Sequence, residues 1–390
     1  MQVYLVGGAV RDELLGLAVR ERDFVVVGAT PAELERAGFR SVGREFPVFL
    51  HPQTGEEYAL ARLERKVAPG YRGFVTEFSP QVTLEQDLLR RDLTINAMAR
   101  DGDGALIDPH GGRADLEARL LRHVSPAFAE DPVRILRVAR FAARFAALGF
   151  SVAPETLQLM RTMVRAGEAD ALVSERVWRE LERALATDNP ERAFQTLQDC
   201  GALAVLLPEL AHAAELPAEL DALHRATAIT TPEGQPDTAA RWAALLAALP
   251  HGDVEALCER LRVPSEHRDL ATLAARLHAH LHAQRHAQPK PAAPRHAQLP
   301  ADPEGMLELL ELGDAWRRPE RFGRWLEVWC ARAAAEEQPL HDVDRCAARL
   351  GAAQRASAAV QLDAAALAAH RGPEIAALLH TRRLAALRAL

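Results

Sequence analysis

Gly7-Gly8-Ala9-Val10-Arg11-Asp12, with the acid–x–acid pair Glu21-Arg22-Asp23 close behind it, is the stretch on which the reading of this 390-residue chain turns. Ahead of it, Gln2-Val-Tyr-Leu-Val6 is a short β-rich apolar run. Behind it, Val10-Arg-Asp-Glu-Leu-Leu15 has helical spacing and a stop at Gly16. A strand–GlyGly–helix junction lets backbone N–H groups and a helix N-terminus approach a phosphate closely. Glu21 and Asp23 fall on the next predicted strand, where alternation puts them on one face, roughly 6–7 Å apart by strand rise. Two carboxylates beside a phosphate cradle are what divalent cations and a triphosphate require. A Gly-Gly turn or an acid–x–acid pair alone is commonplace; in this order and spacing they point to nucleotidyl transfer.

The composition narrows the setting. The chain is long enough for two or three domains with a sizeable core. No apolar run approaches membrane-spanning length, and the start Met-Gln-Val-Tyr lacks the basic and apolar regions of a secretory signal. Cys200, Cys258, Cys330 and Cys346 lie far apart with no C-x-x-C, so free thiols in a reducing cytoplasm are expected. The net charge of −7 argues against a generally basic nucleic-acid binder, but phosphate contacts need a local stripe and not a basic chain. Lysine occurs only at Lys66 and Lys290 among abundant arginine, a bias in keeping with genomic base composition.

Strand signals concentrate before about residue 112, at Val3–Val6, Phe24–Val27, Val48–Leu50 and Tyr58–Ala61. Helical patterns lie at Ala32–Ala37 and Leu84–Leu89, the second opened by the capping box Thr83-Leu-Glu-Gln86. From about residue 114 helical periodicity takes over. Ser174 reads as an N-cap, with Arg176 and Glu180 one turn apart behind it. Proline-rich Gln288–Pro303, interrupted by His296, reads as a linker. The fold class is α+β: a head of mixed sheet and helices over 1–113, an all-α neck over 114–215, and a helical body and tail over 216–390.

Three further constellations carry chemistry. Glu57, in Glu57-Tyr-Ala-Leu-Ala-Arg62, shares a strand face with small residues and could act as general base or metal ligand; an edge-strand glutamate in water is the plain alternative. Arg90-Arg-Asp-Leu-Thr-Ile-Asn-Ala97 packs arginine forks suited to phosphate with Asp92 and Asn96, able to bond a ribose hydroxyl; surface arginines at a helix junction are the plain alternative. Glu130-Asp-Pro-Val-Arg-Ile-Leu-Arg-Val-Ala-Arg140 puts Asp131 at an N-cap before Pro132. Arg134, Arg137 and Arg140 then recur every three residues beside an apolar flank of Ile135, Val138, Ala142 and Phe145. Residues 118–149 hold six arginines against two acids. The acid ahead of this stripe, placed after a nucleotide-site head, favours a binding face over a merely solvated one.

These residues together resemble the bacterial class II tRNA nucleotidyltransferases, the CCA-adding enzymes, in the form that begins almost directly with Gly-Gly-x-Val-Arg-Asp. The likeness is dense to about residue 210, through His51-Pro-Gln-Thr-Gly-Glu-Glu-Tyr58, Arg90–Ala97, Arg122-His-Val-Ser-Pro126 and Glu130–Arg144, and returns at Asp314-Ala-Trp-Arg-Arg-Pro-Glu-Arg321. It implies that Gly8 and Arg11 hold the triphosphate, that Arg91 belongs to the nucleotide-handling motif, and that Glu21 and Asp23 bind Mg²⁺. It implies that Asp131 and Arg134 contact the incoming base of CTP or ATP, with Arg137 and Arg140 completing the site. The base logic follows from chemistry. Cytosine and adenine both present an amino donor beside a ring-nitrogen acceptor, whereas uracil and guanine present a carbonyl beside an N–H. A carboxylate beside a guanidinium therefore accepts the first pair and rejects the second, at about 1–3 kcal/mol per unpaired group, with no template. The implied partner is tRNA, the implied place the cytoplasm, with no membrane association.

Two departures from the family stand out. Glu21 occupies a position usually held by aspartate. Relatives often carry a His-Asp phosphohydrolase domain in the tail, yet in Arg241-Trp-Ala-Ala-Leu-Leu-Ala-Ala248 the expected pair is Ala247-Ala248. His278, His280 and His282 read as a polar helix end, and the His341-Asp342 dipeptide lacks partnered histidines. A poly(A) polymerase is the nearest rival; it usually has residues ahead of the Gly-Gly motif and a strongly basic tail. An enzyme adding only CC or only A is a harder rival to exclude and stays an alternative; Arg65-Lys-Val-Ala-Pro-Gly-Tyr-Arg-Gly73 resembles the loop that accompanies the family's switch from C to A. A catalytically dead RNA-binding protein would lack the carboxylates.

Overall fold

Side-chain alternation along five central residues builds the head. In β2 (Asp23–Val27), Val25 packs with Val6, Ala61, Leu84, Leu88 and Ala99 on one face, while Val26 packs with Ala29, Leu34, Phe49 and Leu60 on the other. Burial on both faces makes β2 central. Around it lie β1 (Gln2–Val6), β3 (Arg40–Ser41), β4 (Val48–Leu50) and β5 (Glu57–Leu60); β6 (Arg62–Lys66) and β7 (Phe74–Phe78) form a separate antiparallel hairpin; β8 (Ala99–Arg100) and β9 (Leu106–Ile107) close the far edge. The seven-stranded sheet runs β3-β4-β5-β2-β1-β8-β9, with β2 and β5 parallel and its other neighbours antiparallel.

The structure is a computed structural model describing residues 1–42, 48–66, 74–213, 215–286, 299–336 and 339–390. It divides into two units, residues 1–184 with 192–206, and residues 185–191 with 207–390. The first takes in both the head and most of the neck read from the sequence. Most of the loop expected at Arg65–Gly73, and most of the linker with His296, lie outside the described residues.

In the first unit, helices follow their capping chemistry. Thr30 and Glu33 close a capping box on α2 (Pro31–Arg36), and Thr83 and Gln86 close the expected one on α3 (Leu84–Leu89). The Gly-Gly turn leads from β1 into α1 (Gly8–Leu14), and α4 (Gly112–Ala118) follows β9. Two short parallel strands, β10 (Leu120–Leu121) and β11 (Ser151–Val152), flank α5 (Val133–Arg144) in sequence. After them come α6 (Pro154–Arg165), α7 (Ser174–Leu185), α8 (Glu191–Cys200) and α9 (Ala202–Leu206). Ser174 is the first residue of α7 and not its cap.

The second unit is helical: α10 (Pro208–Ala211), α11 (Leu216–Arg225), α12 (Thr238–Leu246), α13 (His251–Arg260), α14 (Ser265–His286), α15 (Pro303–Leu312), α16 (Pro319–Ala335), α17 (Leu340–Ala358), α18 (Ala364–Ala369) and α19 (Pro373–Arg388). Its alanine-rich helices pack around buried Trp242 and are pinned by buried arginines. Arg332 on α16 meets Glu219 on α11 at 2.6 Å and donates to the Ala244 carbonyl. Arg241 donates to the carbonyls of Leu185, Thr187 and Thr227. Buried ionic groups persist only when paired in this way. Ala247 is buried just past α12, and Ala248 is exposed. His278 and His282 are half-buried with rings 4.3 Å apart, not a solvated helix end. Burial, with Arg332 and His282 nearby, pushes His278 down to about 2, so it is neutral. Among the described residues no three His, Cys, Asp or Glu side chains are grouped to hold a metal, and no helix is long and apolar enough to cross a membrane.

Gly112 sets how closely α4 docks: a Cβ there would lie 2.3 Å from the Thr94 carbonyl oxygen. Gly112→Ala is expected to lower unfolding free energy by about 1–3 kcal/mol in urea melts. Gly102→Ala, facing open space, should stay within ~0.5 kcal/mol of wild type.

Candidate active site

The carboxylates come from adjacent strands. Asp23 and Glu57 are partners in the parallel register of β2 and β5, so they share a sheet face, while Phe24 and Tyr58 stack at 4.5 Å on the other. Glu21 does not lie on that strand: β2 begins at Asp23, paired with Val6, and Glu21 stands in the exposed connection before it. Proximity to Asp23, not strand alternation, couples the two. Although Asp23 reaches solvent, the protein packed around it pushes its carboxyl up; Arg91 opposes this and Glu21 adds to it. Hard carboxylate oxygens under like-charge repulsion fit a divalent cation, which would relieve that repulsion. Mg²⁺ typically takes one or two carboxylates with substrate phosphates completing the shell, so the lack of a three-ligand cage among the described residues is no obstacle.

The Gly-Gly turn follows Val6, the residue paired with Asp23 across the sheet. Gly7 holds φ +70°, and a Cβ on it would come within 2.7 Å of Arg91 Nη1. Gly8 opens α1, whose first N–H groups have no intrahelical partners. Arg91 donates to the Asn96 carbonyl at 3.3 Å and meets Asp87 at 3.3 Å, which leaves it between the turn and Asp23. Asp87 is fully buried. Burial alone would raise its carboxyl, but Arg90 and Arg91 pull it below the ordinary value.

Arg11 is placed otherwise than the sequence implied. It is 3% exposed, bonded to Asp12 at 2.9 Å and to the Asn96 side chain, with its guanidinium over the rings of Phe141 and Phe145. It braces the turn from beneath, whereas an open phosphate ligand would face solvent. Asp92 and Asn96 are buried too, and neither offers a free edge to a ribose. Asp92 accepts from Arg137 at 2.7 Å, from the Asn96 amide at 2.9 Å and from the Leu93 N–H at 2.8 Å. Burial by itself would raise its carboxyl; Arg137 and these hydrogen bonds hold it far below the carboxylate range.

On α5 the arginines share a helix but separate in role. Asp131 is extended, Pro132 takes helical angles, and the Asp131 carboxylate caps the Val133 N–H at 3.1 Å. Arg134 is buried and donates to the carbonyls of Ala127 and Arg90 at 3.0 and 2.5 Å. Arg137 holds Asp92, and Arg140 lies over Phe141 and pairs with Glu180 at 2.6 Å. Arg144, one turn on, reaches Asp12 at 2.8 Å. The expected Arg176–Glu180 pair within α7 is not made: Arg176 meets Asp131 at 2.9 Å instead. Roles for Asp12, Asp87 and Arg144 escaped the sequence reading, as did the true partners of Arg176 and Glu180. The motif position of Asp12, the continued arginine spacing to Arg144 and the one-turn spacing of Arg176 and Glu180 were the signals in the sequence.

Comparison with known proteins adds the family context. Residues 3–122 match the family model described as "Poly A polymerase head domain", and residues 149–214 the one described as "Probable RNA and SrmB- binding site of polymerase A". The chain is 51% identical to the "Multifunctional CCA protein" of Thioalkalivibrio sulfidiphilus, covering 100% of this chain and 98% of that one. It is 49% identical to the "CCA-adding enzyme" of Pseudomonas putida, with the same coverage. A solved apo structure of a CCA-adding enzyme superposes with a TM-score of 0.73 at 22% identity, over 99% of this chain and 88% of that one, a likeness of fold.

Asp92→Asn is expected to cost on the order of 2–4 kcal/mol at neutral pH by leaving Arg137 poorly paired. Because the folded-state value is depressed, the wild type holds this increment above about pH 4 and loses it as pH falls further. Urea melts from pH 7 to 3 should therefore show a constant gap between the two proteins down to about pH 4 and the start of its narrowing at pH 3, with convergence only below the depressed folded-state value; a gap that does not narrow below pH 4 would contradict the pairing.

Proposed function

The chain belongs to the CCA-adding enzymes, tRNA nucleotidyltransferases, and on that premise we propose that it completes and repairs the 3′-terminal CCA of tRNA in the cytoplasm, transferring CMP, CMP and AMP from CTP and ATP. One observation carries the reading: the Gly-Gly turn follows Val6, the strand partner of Asp23, which is itself in register with Glu57, and the arginine helix α5 reaches Asp12 of the helix opened by that turn through Arg144. Glu21 and Asp23 would hold Mg²⁺. Bound there, the ion would neutralise phosphate charge and favour ionisation of the attacking hydroxyl.

The RNA 3′ hydroxyl attacks the α-phosphorus in line, and the new O–P bond forms as the bond to pyrophosphate breaks. Glu57, in register with Asp23, takes the hydroxyl proton. The backbone around Gly8, with Arg91, receives the triphosphate, and Arg11 supports that turn from below. Asp131 accepts the amino group of cytosine or adenine. Arg134 joins it by exchanging a carbonyl partner for the base edge, and Arg137 and Arg140 hold the helix in place. Contacts to tRNA are of the phosphate and shape kind, without base reading.

Asp23→Ala is expected to abolish incorporation of both CMP and AMP while tRNA binding persists. This is measured with radiolabelled nucleotides on tRNA lacking its 3′ end, and normal CMP addition would exclude a single shared site. The raised Asp23 carboxyl also sets a sign. As pH falls, activity should begin to drop above the ~3.9 of an ordinary aspartate, because the proton competes with the cation.

The second unit supplies no phosphohydrolase in this reading, since Ala247 and Ala248 cannot ligate a metal. The full chain, given 2′,3′-cyclic nucleotides with Ni²⁺, Mn²⁺ or Mg²⁺, should show no metal-dependent turnover. Turnover lost on changing His278 or His341 would reveal a relocated site.

A further inference from the structure

Asp131 is held by more than its own helix. Its Oδ1 accepts the Val133 N–H at 3.1 Å and Arg176 Nη1 at 3.3 Å, and its Oδ2 accepts Arg176 Nη2 at 2.9 Å. An ionised carboxylate offers about four acceptor positions, two on each oxygen. The capping N–H and the arginine fork occupy both on Oδ1 and one on Oδ2. One position on Oδ2 remains, and it suits a single N–H donor. The terminal torsion of aspartate is soft by itself, so the fork from α7 is what fixes the plane in which that last position points.

One turn along the same helix, Glu180 holds Arg140 of α5 at 2.6 Å, with the Arg140 guanidinium 4.3 Å from the Phe141 ring centre. Two ion pairs one turn apart thus lock α7 along α5, which keeps the donor nitrogens of Arg176 in register with the carboxylate.

We propose that Arg176 is a positioning residue for nucleotide choice: it aims the one open acceptor of Asp131 at the exocyclic amino group shared by cytosine and adenine. The inference rests on the reading of Asp131 as the base contact, and it adds a residue outside the α5 stripe. Without the fork, the carboxylate keeps its helix cap but turns about its torsion, and amino and carbonyl edges are no longer well separated.

The test uses the full chain with tRNA lacking its 3′ end, measuring kcat and KM separately for CTP and for UTP. Arg176→Gln is expected to lower the CTP-over-UTP ratio of kcat/KM about tenfold or more, mainly through a higher KM for CTP. Arg176→Lys, which keeps the charge but not the fork, should recover part of that ratio, and it carries the test if the glutamine variant melts early. The double variant Asp131→Ala/Arg176→Gln should show the same ratio as Asp131→Ala alone, because Arg176 acts through Asp131. If Asp131→Ala relaxes the choice while both Arg176 variants keep the wild-type ratio, the base reading stands and the positioning role is overturned. A uniform loss of rate with every nucleotide overturns it likewise, as the mark of a purely structural contact. If Asp131→Ala itself leaves the ratio unchanged, the base reading falls and this inference with it.

Discussion

Everything in the first unit hangs on a buried carboxylate, Asp92, which the fold must keep satisfied. A charge so removed from water is tolerated only with good partners, and here they form a circuit. Arg137 of α5 holds Asp92, Asp92 holds the Asn96 amide, Asn96 takes Arg11, Arg11 holds Asp12, and Asp12 takes Arg144 of α5 again. The circuit leaves α5 and returns to it, passing through the helix that opens at the Gly-Gly turn. Phe141 and Phe145 fill its centre beneath the Arg11 guanidinium. Removing any one member leaves a buried donor or acceptor unpaired, so the arrangement is specific as well as strong.

The functional consequence is geometric. Under the proposed function, phosphate handling would depend on the turn and on Asp23 and base choice on the start of α5, and the two would have to be held at a fixed distance with no nucleic-acid template to do so. The circuit supplies that rigidity through side chains. Helix α7 backs α5 from another direction through Asp131 and Arg140. On the proposed reading, selection of C and A over U and G would rest on a carboxylate whose acceptor positions are nearly used up, a sharper filter than a freely rotating one.

The second unit applies the same physics to a different end. Its buried arginines meet one carboxylate, Glu219, and several carbonyl oxygens, and burial raises Glu219 despite the Arg332 pair. These contacts pack alanine-rich helices together. Ala247 and Ala248 carry only methyl groups, and the histidine held neutral on α14 packs and does not titrate near neutrality.

Much of the fold was legible because it is locally encoded. Alternation in Val25-Val26 marks a two-faced strand, Thr83 and Gln86 cap a helix through bonds three residues apart, and Asp131-Pro132 starts α5; all of these are set by the chain's own geometry. The candidate carboxylates and the arginine stripe were legible for the same reason, as motifs of fixed spacing. What each charged side chain does was not. Arg11 turned inward, Glu21 fell outside the strand, and Arg176 bonded Asp131, 45 residues away, in preference to Glu180, one turn along. Sequence alone determined which elements form and which residue types reach the site. Only the tertiary structure decided which arginine meets which acid, because that choice depends on surfaces brought together from distant parts of the chain and on the cost of leaving any buried charge alone.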